Sequence, residues 1–147
     1  MNQSIKTIEI NLTRTIDAHP KEVYAVWLDQ TSPGSPWFGV SKVVLNPPKV
    51  DSLFYTMYQV EGREIAHYGR FIVLEEPRKI QYTWVSEATR GMESVLTVSF
   101  EPANGKTQVN VKHTNVPDDE GGHRHKQAWG YVLARMSAHF GKGNPDV

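Results

Sequence analysis

The sequence predicts an α+β fold in which a curved antiparallel sheet of seven strands wraps around one long C-terminal helix. Three observations carry that prediction. Aliphatic and aromatic residues alternate with polar ones, or cluster in short apolar runs, in seven separate segments. The segments from residue 40 onward are joined by turn sequences too short for a parallel crossover. An amphipathic stripe then closes the chain, and it is the one helix long enough to cover such a sheet.

Each element follows from local chemistry. Ile8, Ile10 and Leu12 alternate with Glu9, Asn11 and Thr13, so a strand is expected from about Ser4 to Ile16. Pro20 suits a first helical turn and Glu22 suits its partial positive charge. A short helix from Pro20 to Leu28 would bury Val23, Val26 and Trp27. Thr31-Ser32-Pro33-Gly34-Ser35-Pro36 is dense in turn formers, and the stretch to Trp37-Phe38-Gly39 reads as a loop or one helical turn that ends a pair of short helices. Six strands follow: Val40 to Asn46, Leu53 to Val60, Glu64 to Leu74, Lys79 to Val85, Glu93 to Glu101 and Thr107 to Thr114. Their separators include Asn46-Pro47-Pro48, Glu61-Gly62, Glu76-Pro77-Arg78 and Ala103-Asn104-Gly105. Asp118 and Asp119 can cap a helix, and Trp129, Val132, Leu133, Met136 and Phe140 then recur at helical spacing over about five turns. Gly141-Lys142-Gly143 ends that helix, and Asn144 to Val147 reads as a loose tail.

Composition bounds the function. The 147 residues suit a single domain, 1–147, with a core that needs no metal or disulfide. Sixteen Lys and Arg balance sixteen Asp and Glu, with no basic run, so nucleic acid is not an expected partner. The absence of cysteine excludes a disulfide scaffold, a thiol nucleophile and thiolate metal sites, and the expected location is cytoplasmic. The N-terminal residues lack a signal-peptide pattern and no apolar run is long enough to span a bilayer, so no membrane association is expected.

Several segments resemble successive motifs of one family. They are Arg14-Thr15-Ile16-Asp17-Ala18-His19-Pro20-Lys21-Glu22-Val23-Tyr24, Trp37-Phe38-Gly39, Gly69-Arg70-Phe71-Ile72, Ile80-Gln81-Tyr82-Thr83-Trp84, Ser94 to Phe100, and Gln127-Ala128-Trp129-Gly130. In this order they resemble the heat-shock protein 90 ATPase activator-like group of the START and Bet-v-1-like (SRPBCC) superfamily, from about Ile8 to Phe140. The resemblance implies a helix-grip fold with a cavity for an apolar or amphipathic small molecule, and no shared catalytic residues. Two departures stand out. Asp51-Ser52 occupies a turn where relatives often have glycines, and a chain of this length is not expected to hold the additional N-terminal domain of the chaperone activators.

Candidate ligand-binding residues are Trp37, Phe54, Tyr58, His67, Phe71, Tyr82, Trp84, His113, Trp129 and Leu133. Their aromatic rings either pack a core or line a pocket. His67 shares a strand face with Ile65, Gly69 and Phe71, and His113 shares one with Val109 and Val111, so both imidazoles can point inward, as satisfied core groups or as acid–base groups. His123 and His125 diverge on a helix and no further ligand follows at metal spacing, so no metal is expected. Asp118-Asp119-Glu120 reads as a helix cap, and Arg63, Arg70 and Arg90 read as surface charges or as one anion-binding group at the pocket mouth. No nucleophile elbow or phosphate loop occurs, and no cofactor is expected. Three functions remain, in descending order: binding of an apolar or amphipathic small molecule, catalysis on such a molecule by His67 or His113 with Tyr58 or Tyr82, and interaction with a chaperone or other protein. Either a monomer or a homodimer is compatible with all three.

Overall fold

Alternating burial turns the two-residue sequence period into one curved sheet. The computed structural model describes residues 5–40, 42–44 and 48–141, apart from the side chains of Lys42, Val44 and Val60. The elements are β1 (Thr7–Ile16), α1 (Pro20–Trp27), β2 (Lys42–Val44), β3 (Leu53–Val60), β4 (Arg63–Glu75), β5 (Lys79–Ser86), a 3-10 turn at Glu87–Thr89, β6 (Ser94–Ala103), β7 (Lys106–Pro117) and α2 (Glu120–Gly141). The strands lie in the order β1-β7-β6-β5-β4-β3-β2, and every neighbouring pair is antiparallel. The architecture is a helix-grip α+β fold. The expected ends of the first and second strands, the Asn46-Pro47 part of one turn, and the Lys142 to Val147 tail lie outside the described residues.

One expectation is corrected. Only α1 is helical after β1, and no second short helix follows it among the described residues. Residues 29–38 form successive turns in which Ser32 N–H donates to Asp29 C=O, Ser35 N–H to Ser32 C=O and Phe38 N–H to Ser35 C=O. Pro33 and Pro36 have no amide hydrogen to continue a helical ladder, so each turn closes separately.

The hairpin ends are decided by backbone conformation. Glu61 and Gly62 have φ of 50° and 78°, and Asn104 and Gly105 have 53° and 83°. Two consecutive positive values match the tight turn whose twist suits antiparallel strands. Asp51 also takes the left-handed conformation, at φ 71°, which Asp tolerates better than most residues other than glycine. Asp119 caps α2, its Oδ1 accepting from Gly122 N–H at 2.7 Å.

β6 and β7 alternate cleanly, burying Leu96, Val98 and Phe100 on one and Val109, Val111 and His113 on the other. Across the sheet, Phe54 opposes Gly69 and Phe71 opposes Tyr82, which sets their rings on the concave face. Trp129, Leu133 and Met136 of α2 meet that face, and Tyr24 and Trp27 of α1 close one end around Phe100.

Gly69 is required by close approach. A Cβ at this position would lie 1.9 Å from Thr83 C=O and 2.8 Å from the Phe54 ring. Backbone cannot yield as a flexible side chain can, so Gly69→Ala is expected to destabilise the fold by about 3 kcal/mol. Urea unfolding checks this; an unchanged midpoint would refute the packing described for β4 and β5.

Candidate functional site

α2 packs closest to β1 and β7, while β3 and β4 stand away from it. Most of the intervening space is filled. Trp37, Phe54, Phe71 and Tyr82 form mutual ring contacts of 5.3–6.4 Å, and all four are essentially inaccessible. Between α2 and the β3–β4 side lies a cleft of about 480 Å³, and a neighbouring hollow of about 640 Å³ that shares His67, His125, Ala128 and Tyr131 with it is lined also by Arg63, Glu87, Arg90, Asp119 and Arg124. Tyr58, His67, Trp84 and Trp129 form the inner wall of the cleft, with Phe38, Tyr131 and Arg135 among the residues around them.

The ten candidates therefore divide. Tyr58, His67, Trp84 and Trp129 line the cleft. Trp37, Phe54, Phe71, Tyr82, His113 and Leu133 do not; they are packed in the core. The two-residue period states which face a side chain occupies, and it is silent on which inward residues are covered by others. His125, Tyr131 and Arg135 were not among the ten. A helical signal for them exists: 128, 131 and 135 follow 125 at steps of three and four, beside the Trp129–Leu133–Met136 stripe.

His113 has all its polar capacity used. Trp129 Nε1–H donates to His113 Nδ1 at 3.0 Å, so the ring proton resides on Nε2. Nε2–H then donates to Ser94 Oγ at 2.7 Å, and the Ser94 hydroxyl donates to Trp84 C=O. This continuous relay has no place for an added proton. Burial, reinforced by nearby His125, pushes the His113 pKa down to about 3.

His67 and His125 are held differently. The Nδ1–H of His67 donates to Ile65 C=O at 3.2 Å, and that of His125 to Gly122 C=O at 3.1 Å. The His67 ring sits 4.9 Å from both the Tyr58 and Trp84 centroids. Burial pushes its pKa down to about 4, against a smaller opposing effect of the Ile65 bond, and burial also lowers that of His125. Both present a neutral ring at pH 7. Burial raises the pKa of Tyr58, whose hydroxyl donates to Pro36 C=O at 3.1 Å, and raises that of Tyr82, which accepts from Trp27 Nε1–H.

The loop over the cleft is fastened at both sides. Besides the Tyr58 bond to Pro36, Arg135 donates through Nη2 to Ser35 C=O. Ser35 Oγ in turn donates to Trp27 C=O and accepts from Trp37 N–H. The arginines singled out from sequence all have carboxylate partners: Arg63 with Glu87, Arg70 with Asp51 and Arg90 with Asp119. Among the described residues no group of three or more His, Asp or Glu side chains is arranged to hold a metal ion, and no helix is long and apolar enough to cross a membrane.

The sheet and the helix it grips define a helix-grip α+β architecture. The family model described as "Activator of Hsp90 ATPase homolog 1-like protein" matches residues 17–141, and the chain belongs to that family. An uncharacterized protein of Schizosaccharomyces pombe is 29% identical over 117 residues, which is 79% of this chain. The match spans about a third (32%) of that relative's length. Among solved structures, a Chromobacterium violaceum protein aligns with TM-score 0.76 at 20% identity, covering 90% of this chain and 96% of its own. The Aha1 dimer from Colwellia psychrerythraea gives 0.67 at 14%, covering 93% and 98%, and major latex-like protein 151 from Panax ginseng gives 0.71 at 12%, covering 91% and 97%. At these identities the structural likeness shows the fold alone.

The buried imidazoles make acid sensitivity a direct consequence. In the unfolded chain a histidine titrates near 6.5, whereas folded His67 and His113 titrate near 4 and 3. Between these values the unfolded chain binds protons that the folded chain refuses, so stability is full above about pH 6.5 and falls as pH falls. At pH 5 the loss is about 2 kcal/mol for each of these two residues. Urea unfolding from pH 7.5 to 4.5 is expected to show this decline, with a shallower slope in His113→Phe, which also has lower stability at pH 7.5. An equal slope in that variant would show that His113 is not the buried neutral group described.

Proposed function

We propose that this domain binds an apolar or amphipathic small molecule in the cleft between α2 and the β3–β4 hairpin. The observation that supports it most is the survival of an aromatic-walled opening of about 480 Å³ beside an otherwise filled interior. That volume lies in the usual range of small-molecule sites, and indole and phenol faces suit flat apolar groups. A ligand of about 25 non-hydrogen atoms at roughly 0.3 kcal/mol each would bind with about 7.5 kcal/mol, a micromolar dissociation constant.

Binding fits the wall better than catalysis does. A general base works best with a pKa near the operating pH, and His67 lies near 4. His113 is enclosed by Trp129 and Ser94, and Tyr58 commits its proton to Pro36. These groups are built to orient and to exclude water.

Native mass spectrometry of the protein purified from its own host, with release and identification of any bound molecule, tests the proposal. Ala128 is exposed on the cleft wall, so Ala128→Trp is expected to fill the opening and reduce binding at least tenfold without disturbing the core. Retained ligand in a folded Ala128→Trp protein would reject the cleft as the site.

A second reading, docking onto a chaperone or another protein, is supported by the family description and by the outer sheet face. There Leu53 is 71% exposed and Tyr68 is 49% exposed, with Tyr55 paired to Tyr68 across the strands. On that reading Leu53→Asp should abolish any stimulation of the chaperone ATPase while leaving unfolding unchanged. A chaperone rate indifferent to both the wild type and the variant would remove it.

A further inference from the structure

Among the described residues lining the cleft Arg135 is the charged one, and no carboxylate joins it there. His67 and His125 add no charge at neutral pH. Arg63, Arg70, Arg78 and Arg90 each have an acidic partner within 4 Å, and Arg14 and Arg124, which have none among the described residues, are exposed to water, whereas Arg135 is half-buried. Arg135 has no such partner among the described residues. A partly buried guanidinium without a counter-ion is costly, and the cost is removed when an anion enters beside it.

Its hydrogen bonds are likewise incomplete. A guanidinium has five N–H donors, of which Nη2 engages Ser35 C=O and Nε has no acceptor. The indole Nε1–H of Trp84, on the inner wall of the same cleft, is also without an acceptor. Both of these N–H groups are buried within the wall, so the donors free to meet a molecule in the cleft are those of Nη1 and the second hydrogen of Nη2, and the site carries a positive charge.

Its shape adds a second constraint. The guanidinium carbon lies 5.9 Å from the Phe38 ring centre and 5.8 Å from that of Tyr131, so two aromatic rings hold it at the opening. Behind it stand Tyr58, Trp84 and Trp129, packed against one another at centroid distances of 6.2 and 5.2 Å.

Resting on the reading of the cleft as a ligand site, we infer that its occupant is a planar aromatic carboxylic acid, bound as the anion with its carboxylate on Arg135 and its ring against the indoles. A carboxylate accepts two parallel N–H bonds from a guanidinium, which fixes orientation as well as charge. The bond to Ser35 leaves enough donors for this, so Arg135 fastens the loop and holds the ligand at once.

Titration of the full-length 15N-labelled chain by NMR tests the inference, with naphthalene-2-carboxylate and its neutral carboxamide as probes up to millimolar concentration. The acid is expected to bind about ten- to a hundredfold more tightly than the amide, as one charge-assisted interaction allows. The Arg135 Nε–H signal should shift only with the acid, and the Trp84 and Trp129 indole signals with both. Arg135→Gln should erase the preference for the acid, and Arg135→Lys should retain part of it. Equal affinity for the two probes on the wild-type chain would overturn the inference while leaving the cleft as a site for neutral apolar ligands. Because that comparison needs no variant, loss of folding in Arg135→Gln does not obscure it. Binding of neither probe would overturn both this inference and the cleft reading.

Discussion

The hydrogen bond from the Trp129 indole to His113 couples the helix to the sheet, and much of the arrangement depends on it. A buried indole N–H without an acceptor costs free energy, and here the acceptor is an imidazole nitrogen that must be unprotonated. The neutral tautomer then directs Nε2–H to Ser94, and Ser94 to the Trp84 carbonyl. Four residues from α2, β7, β6 and β5 are thereby held in one chain of bonds. Trp129 also stacks on Trp27 at 6.3 Å and meets Trp84 edge-on at 5.2 Å. The same ring closes the core on one side and forms the cleft wall on the other.

That anchorage sets the register of α2, and the register decides what reaches the opening. With Trp129 directed inward, Ala128, Tyr131 and Arg135 lie along the edge of the helix that faces the β3–β4 side. The loop after α1 is then held over this edge by Arg135 on Ser35 and by Tyr58 on Pro36. Residues that line the cleft are also those that fasten its cover. On the proposed function, ligand binding and local stability would be coupled, because displacement of either residue loosens the loop that bounds the cleft.

Related structures keep this architecture at identities of 12–20%. A fold retained over such divergence is a scaffold, and activity resides in the side chains placed on it. Among the described residues those side chains form an aromatic surface with one cation, Arg135, that has no carboxylate partner, while Arg63, Arg70, Arg78 and Arg90 are paired with carboxylates elsewhere.

The strand alternation, the paired turn residues Glu61-Gly62 and Asn104-Gly105, and the spacing from Trp129 to Met136 were sufficient to read a sheet gripping a helix. These signals are local, depending on the direction of successive side chains and on backbone sterics. The four wall residues Tyr58, His67, Trp84 and Trp129 were legible for the same reason, as inward-facing polar aromatics. What the sequence could not distinguish was Tyr82 from Trp84 or His113 from His67, since each pair shares the inward face and only packing covers one member. Arg135 was hidden too, because it stands out only by having no carboxylate beside it among the described residues. Local order is written in neighbouring residues, whereas occlusion and unpaired charge depend on groups brought together from distant parts of the chain, and only the tertiary structure decided those.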